Sequence, residues 1–455
     1  MNNKLLNILA LVLIPLISFS HYLFALGSAG FENASFSAKT LGQGNAVVAR
    51  PQDPSTIMFN PAGLMELPGI QVAGGFQALD WRTFHTRTNG DESHSKFKII
   101  PLPSFYLTMN PGKLLDNRVA IGVGVNSPFG LSSTWDSISV ARTGGYKNAM
   151  KVLATTMSGA VRITDWLKFG GGATNYWMYD YGQSFNFPNA FVLGNTTSPD
   201  GMVRTETNGY GWGWNMGILL KPHPKHKVGV SYRSRATVQV HGRAVIEGIV
   251  SGAAQGFDVF PNWESGVHSN ISIPANLTIG YAYEPSEKWG AEFDFGPTFW
   301  GVFKDMDFGF DRPNATVRAL GRIPRDYKTT WSFNWGGHYQ AKKNLDLLGG
   351  FFFYLAASPK NHIDNFIPDA NRYGWTLGTS YKINDRMDID FMYLFMLFGT
   401  RKFSNPQQLA RAGENIDGKF TSIIHGAFVT FTYRFDFPFE KRVFGKVEKS
   451  PAITS

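Results

Sequence analysis

Side chains able to do covalent chemistry are present in this 455-residue chain, but not at the spacings that organise them. It has no Gly-x-Ser-x-Gly elbow, no His-Glu-x-x-His pair and no phosphate-binding Gly-Lys-Ser/Thr. The run Leu41-Gly42-Gln43-Gly44-Asn45-Ala46 imitates a dinucleotide fingerprint, yet no strand pattern precedes it, no helix pattern follows it, and the third glycine is missing. Of ten histidines, His85, His94, His223, His226, His268 and His362 fall in expected loops or turns, where a solvated ring is the ordinary outcome. Cysteine is absent, which removes thiolate metal sites and disulfides. The expectation is no catalytic residue, no metal and no cofactor. A serine triad assembled from separated strands escapes motif searches, so a hydrolase stands as one alternative.

The chemistry that remains is apolar. Past Asp388 and Asp390 the same register continues as Met392, Leu394, Met396 and Phe398, so both faces of that segment turn apolar. Leu348, Phe352 and Tyr354 repeat this beside Phe351 and Phe353, as do Ile424 and Phe428. If these faces line a lumen, a water-filled pore would want charges there. Phe352, Met392, Met396 and Phe428 are therefore candidate contacts for a greasy ligand, the thioethers adapting to varied shapes. Packing against a plug is the alternative use. Two long connections add a second apolar surface, Phe185, Phe187, Phe191 and Leu193 in one and Ile249, Phe257 and Phe260 in the other. A small loop core is the other reading of these. Arg142, with Lys147 and Lys151, is the candidate partner for a ligand carboxylate.

The elements that would position these residues alternate with period two. Phe431, Tyr433, Phe435 and Phe437 share one face against Thr430, Thr432, Arg434 and Asp436, a pattern no amphipathic helix produces. Val119, Ile121, Val123 and Val125 oppose Ala120, Gly122, Gly124 and Asn126, and Phe293 and Phe295 oppose Glu292 and Asp294. Connections alternate short and long. Short ones fall at Asn110 to Asp116, Ile163 to Asp165, Lys221 to His226, Pro285 to Glu287, Ala341 to Lys343 and Asn384 to Asp385. Long ones include Pro128 to Lys147, Gly182 to Thr207, Arg243 to His268 and Thr400 to Gly418. This rhythm predicts an all-β fold, a transmembrane antiparallel β-barrel of about fourteen strands with tight periplasmic turns. Aromatic content of 15% and 49 glycines suit interfacial girdles and a tightly packed sheet.

Export is the matching requirement. Lys4 precedes the apolar run Leu5 to Phe19, and Ser18, Ser20 and Ala25 offer small residues for cleavage, which predicts a signal peptide over 1–25. A Gly-, Ala- and Ser-rich stretch follows over 26–68, too long for an ordinary connection. It contains Gly30-Phe31, Ser37-Ala38, Leu41 to Ala46, Asp53-Pro54-Ser55-Thr56 and Asn60-Pro61-Ala62-Gly63-Leu64. That series resembles the N-terminal hatch of the FadL-type long-chain fatty-acid transporter family. Ser127-Pro128-Phe129-Gly130-Leu131, Tyr232-Arg233-Ser234, Asp326 with Trp331, and Ile367-Pro368-Asp369-Ala370-Asn371-Arg372 extend the resemblance along the chain.

The resemblance implies a fourteen-stranded barrel, lumen plugged by an N-terminal hatch, that takes up a hydrophobic small molecule passively. Loops would capture the ligand, an apolar lumen would hold it, and the hatch would control exit, with a lateral route through a distorted third strand. Asn60, Pro61 and Ala62, with the small inward residues Gly122 and Gly124, are the gating candidates; a tight turn and close packing are the plain structural uses. The barrel spans 69–437 in this reading, and 438–455 is a basic periplasmic tail. Expected partners are the ligand, outer-membrane lipid and lipopolysaccharide, and the barrel-assembly machinery, with no nucleic acid, for a monomer. A monoaromatic-hydrocarbon channel, an outer-membrane lipase and an adhesive barrel are the rivals.

Overall fold

The computed structural model describes residues 30–33, 36–97, 99–136, 139, 142–189, 200–248, 262–313, 321–407 and 415–435. Within them the strand segments resolve into fourteen staves. These are β1 (Gly69–Arg87), β2 (Ile99–Asn110), β3 (Val119–Asn126, resumed at Gly130–Thr134), β4 (Lys147–Arg162) and β5 (Leu167–Phe187). They continue with β6 (Gly201–His223), β7 (His226–Arg233 and Ala236–Glu247), β8 (Asn262–Ile273 and Asn276–Ser286) and β9 (Trp289–Thr298 and Asp305–Phe310). The last five are β10 (Thr330–Lys342), β11 (Leu345–Tyr354), β12 (Arg372–Asn384), β13 (Met387–Phe403) and β14 (Gly418–Phe435). All pair antiparallel, and β1 pairs with β14 from Ile70↔Phe435 to Arg87↔Gly418, so the sheet closes on itself.

Alternation decides which face each residue takes. Phe431, Ile121, Trp289 and Trp335 are exposed on the outside, whereas Thr430, Ala120, Glu292 and Phe352 are buried within. No helix among the described residues is long and apolar enough to cross a membrane, so the strands do the crossing.

Five sequence expectations shift. The connections expected at Gly182 to Thr207, Arg243 to His268 and Thr400 to Gly418 are partly strand, because β5, β6, β7, β8 and β13 run on past the lipid band. Their outward faces there carry Arg204, Glu206, His241 and Arg243, so the apolar-out signal that marks a strand in lipid is gone. His85 and His362 are not solvated. Both are buried, His85 with its Nε2 2.8 Å from the Ile416 carbonyl oxygen.

Residues 36–68 lie inside the cylinder. The segment turns through two one-turn helices, α1 (Ala38–Leu41) and α2 (Thr56–Phe59), and a 3₁₀ turn at Pro61–Glu66. It bonds to staves on every side. The Ala38 amide donates to Thr430 of β14 (2.8 Å), Gly44 to Thr376 of β12 (3.2 Å), and Val47 to Asp294 of β9 (2.9 Å); Asn215 of β6 donates to the Ile57 carbonyl (2.9 Å) and Tyr106 of β2 to the Phe36 carbonyl (3.1 Å). Gly44 takes a left-handed φ of 61°, and a Cβ there would sit 2.7 Å from the Trp335 carbonyl oxygen, so only glycine lets the segment lie this close to the wall.

Candidate functional site

The lumen above this segment is filled by one large apolar cluster. Phe352, Met392, Met396 and Phe428 project into it from β11, β13 and β14, beside Leu394, Ile424 and Tyr354, with Phe31, Ala38 and Leu41 of the N-terminal segment. These predicted contacts therefore share one core and also touch the segment. Phe185 and Phe187 lie on β5 rather than in a loop, packed with Val203, Ile246, Trp263 and Phe310. Phe191, Leu193, Ile249, Phe257 and Phe260 lie outside the described residues. Arg142 pairs with Asp200 at 2.8 Å, and Lys151 pairs with Asp180.

Other buried cations lie elsewhere. Arg372 of β12 donates to the Gly30 carbonyl (2.8 Å) and to Asp369 (3.3 Å), while Asp369 accepts from the amides of Gly30, Ala357 and Ser358. Both charges are thus matched, as burial demands. Arg325 donates through Nη1 to Asp364 at 2.9 Å, its guanidinium 5.7 Å from the Phe366 ring centroid, but its buried Nη2 has no hydrogen-bond partner among the described residues. The hydroxyls of Tyr181 and Tyr327 are likewise buried and unbonded, and both tyrosines lie within electrostatic reach of Arg325. Sequence reasoning missed this group. The single hint was Asp326, the neighbour of Arg325, in a family-like piece.

The wall has a weak stretch at β3, as it has where β9 is interrupted between Thr298 and Asp305. β3 breaks over 127–129, so β2 pairs with β3 only from Phe105↔Val125 to Met109↔Ile121, and from Ile99 to Ser104 it is bonded to β1 alone. Residues 130–134 pair with β4 alone. A small recess of about 20 Å³ opens beside the break, lined by Trp81, Lys96, Leu131, Thr134 and Pro368. The N-terminal segment caps the break from inside. The Asn33 amide donates to the Pro128 carbonyl (2.7 Å), its side chain to the Ser127 carbonyl (2.7 Å), and the Gly130 amide to the Phe31 carbonyl (2.9 Å). Phe31 meets Phe129, Trp300 and Phe303 edge-on, and Arg233 pairs with Glu32 over the Phe129 ring.

The predicted gating residues divide. Asn60 donates to the carbonyls of Val48 (2.8 Å) and Ile218 (3.0 Å) and accepts from the Ala62 amide, so it ties the segment to itself and to β6. Pro61 and Ala62 press on the wall where Gly170 leaves room. A Cβ at Gly122 would fall 2.8 Å from Ile57, so that glycine faces the segment, whereas Gly124 makes space for Tyr106. Neither lies at the break itself.

The family described as "Outer membrane protein transport protein (OMPP1/FadL/TodX)" matches residues 24–435. The chain belongs to this family. It is 22% identical to Outer membrane protein P1 of Haemophilus influenzae, over 81% of this chain and 86% of that one. To the Long-chain fatty acid transport protein of Escherichia coli O6:H1 it is 21% identical, over 86% and 92% respectively. Its fold is that of a Pseudomonas aeruginosa FadL homologue (TM-score 0.76, 19% identity, 90% of this chain and 100% of that one). The Pseudomonas putida toluene transporter TodX is similar too (TM-score 0.68, 17% identity, 88% and 99%). Family membership makes the protein an outer-membrane transporter of hydrophobic compounds, a barrel with many membrane-crossing strands; family and fold are those of channels rather than enzymes.

Proposed function

We propose that the protein brings long-chain fatty acids across the outer membrane passively. The acyl chain occupies the apolar lumen, the carboxylate meets Arg325, and exit is sideways at the break in β3 once the N-terminal segment moves. The observation that carries the reading is the group of buried donors at Arg325, Tyr181 and Tyr327 beside the apolar cluster. Donors left unbonded in an apolar interior cost about 1–3 kcal/mol each. A carboxylate can accept from all three, with the charge of Arg325 assisting. A monoaromatic hydrocarbon would satisfy none of them, which ranks it second.

The lateral route is favoured by the pairing pattern. Ile99 to Ser104 has a partner stave on one side only, and the Phe31 to Asn33 stretch that caps the break is also the stretch next to Gly30, held by Asp369 and Arg372. Ligand in the cluster and closure of the wall would thus compete for the same few residues. The test is uptake of oleate, short-chain acids, alkanes and toluene by cells with and without the protein. Faster oleate uptake is expected; if no compound enters faster, the transport reading fails, and if toluene alone does, the hydrocarbon reading replaces it.

A further inference from the structure

At the short-turn end of the lumen, one arc of the wall carries a cation on each of four consecutive staves. Arg162 closes β4 in the inward register set by Ser158 and Ala160, and its amide donates to the Arg118 carbonyl at the start of β3 (2.9 Å). Across the next pairing Arg162 faces Lys168 of β5. Lys168 faces Leu219 of β6, and Lys221 follows two residues on, in the same register and close enough to repel Lys168 electrostatically. Among the described residues Arg118 and Lys221 have no ion pair, and Arg162 has only Asp165, a turn residue 3.8 Å away with its side chain 98% exposed. Lys168 pairs with Glu66, the last residue of the 3₁₀ turn in the N-terminal segment.

That contrast with the outer half, where Arg372, Arg325 and Arg233 each hold a carboxylate, needs a reason. Four cations at a lumen mouth repel one another and raise a positive potential that draws anions. Among the described residues, the carboxylate that pairs with one of them from inside the barrel is Glu66, and the turn that carries it rests on the same staves: Pro61 and Ala62 on Gly170 of β5, Asn60 on Gly217 of β6.

We infer that Arg118, Arg162, Lys168 and Lys221 form a second site, at the short-turn end of the lumen, for the headgroup of a long-chain carboxylate, and that Glu66 is the internal carboxylate such a ligand displaces. Displacement frees the end of the N-terminal segment from β5. The inference rests on the fatty-acid reading for its ligand class, and it gives the ligand's charge a task that a hydrocarbon could not perform.

The chain has no cysteine, so a single one reports cleanly. Met65, buried beside Glu66, becomes Met65→Cys, and its rate of labelling by a membrane-impermeant maleimide is followed in purified full-length protein with oleate or oleyl alcohol. Oleate should speed labelling roughly tenfold, the equivalent of one charge-assisted hydrogen bond, and oleyl alcohol should not. Glu66→Gln should raise the rate without ligand. Neutralising Arg118, Arg162 and Lys221 together to Gln should abolish the response to oleate while the barrel keeps its heat-modifiable gel mobility. Equal responses to acid and alcohol, or no response to either, overturn the proposal. A protein that takes up oleate without acid-specific labelling keeps the fatty-acid reading and loses this site; acid-specific labelling without oleate uptake does the reverse.

Discussion

Arg325 and Arg372 are both buried guanidiniums in the outer half of the lumen. Arg372 donates to Gly30 and Asp369; Arg325 donates to Asp364, and its Nη2 has no hydrogen-bond partner among the described residues. Replacing Arg325 by Gln should therefore weaken oleate binding roughly tenfold or more and leave toluene or alkane entry unchanged. Binding titrations on purified protein decide this, and unaltered oleate affinity would remove Arg325 from the site. Phe352 and Met396 pose the complementary question, since both belong to the cluster and both are fully buried. Changing the two to Asp introduces charge where no partner exists, and ligand retention should vanish while the outer wall still folds. Full retention would mean that these side chains only fill space. None of the residue-scale charge pairs could be read from sequence: Arg325 lies near Asp364 only because two connections fold over the same lumen, a contact between segments that no period records.

At the scale of elements, strands were legible wherever one face meets lipid. Val119 to Asn126 and Trp289 to Thr298 alternate as read, because alternating burial imposes the pattern. Above the lipid band that contrast disappears, which is why Phe185 and Phe187 looked like loop residues and are strand. The Asn60 turn was legible from its residue types, but not its reach to the Ile218 carbonyl on β6. Asn60→Ala removes hydrogen bonds to Val48, Ile218 and Ala62, each net about 0.5–1.5 kcal/mol. Slower uptake by an intact barrel is expected, and Gly122→Phe, whose ring would strike Ile57 and Leu64, should act the same way. Normal uptake by both would exclude control by this segment. The break in β3 admits a sharper test. Pro128→Val with Phe129→Thr restores a backbone donor and strand propensity, and removes the ring that seats Phe31. If exit is lateral, a repaired stave should slow oleate release into lipid vesicles; unchanged release would point to another way out.

The whole molecule separates two jobs. The closed sheet supplies the wall, and polar side chains facing inward hold the N-terminal segment. Glu292 and Asp294 accept three backbone amides in a row, from Ala49, Val47 and Val48, and Glu292 also faces Arg50 at 3.7 Å. Replacing both by Ala should leave those amides unbonded and loosen residues 47–50, raising ion conductance in planar bilayers while the wall stays folded. A variant as tight as the parent would show that other contacts suffice.

The two sides of the β1–β14 seam meet over an interior that is already occupied. The N-terminal segment bonds to Thr430 on the last stave and, through Phe36, to Tyr106 on the second, flanking the line where the sheet closes. Residues 36–68 precede every stave in the chain, so they can serve as the mandrel around which the later strands are wound. A substitution that loosens this segment should then also alter how quickly the seam is sewn, and biogenesis yield becomes a second, independent measure of how well the interior is packed.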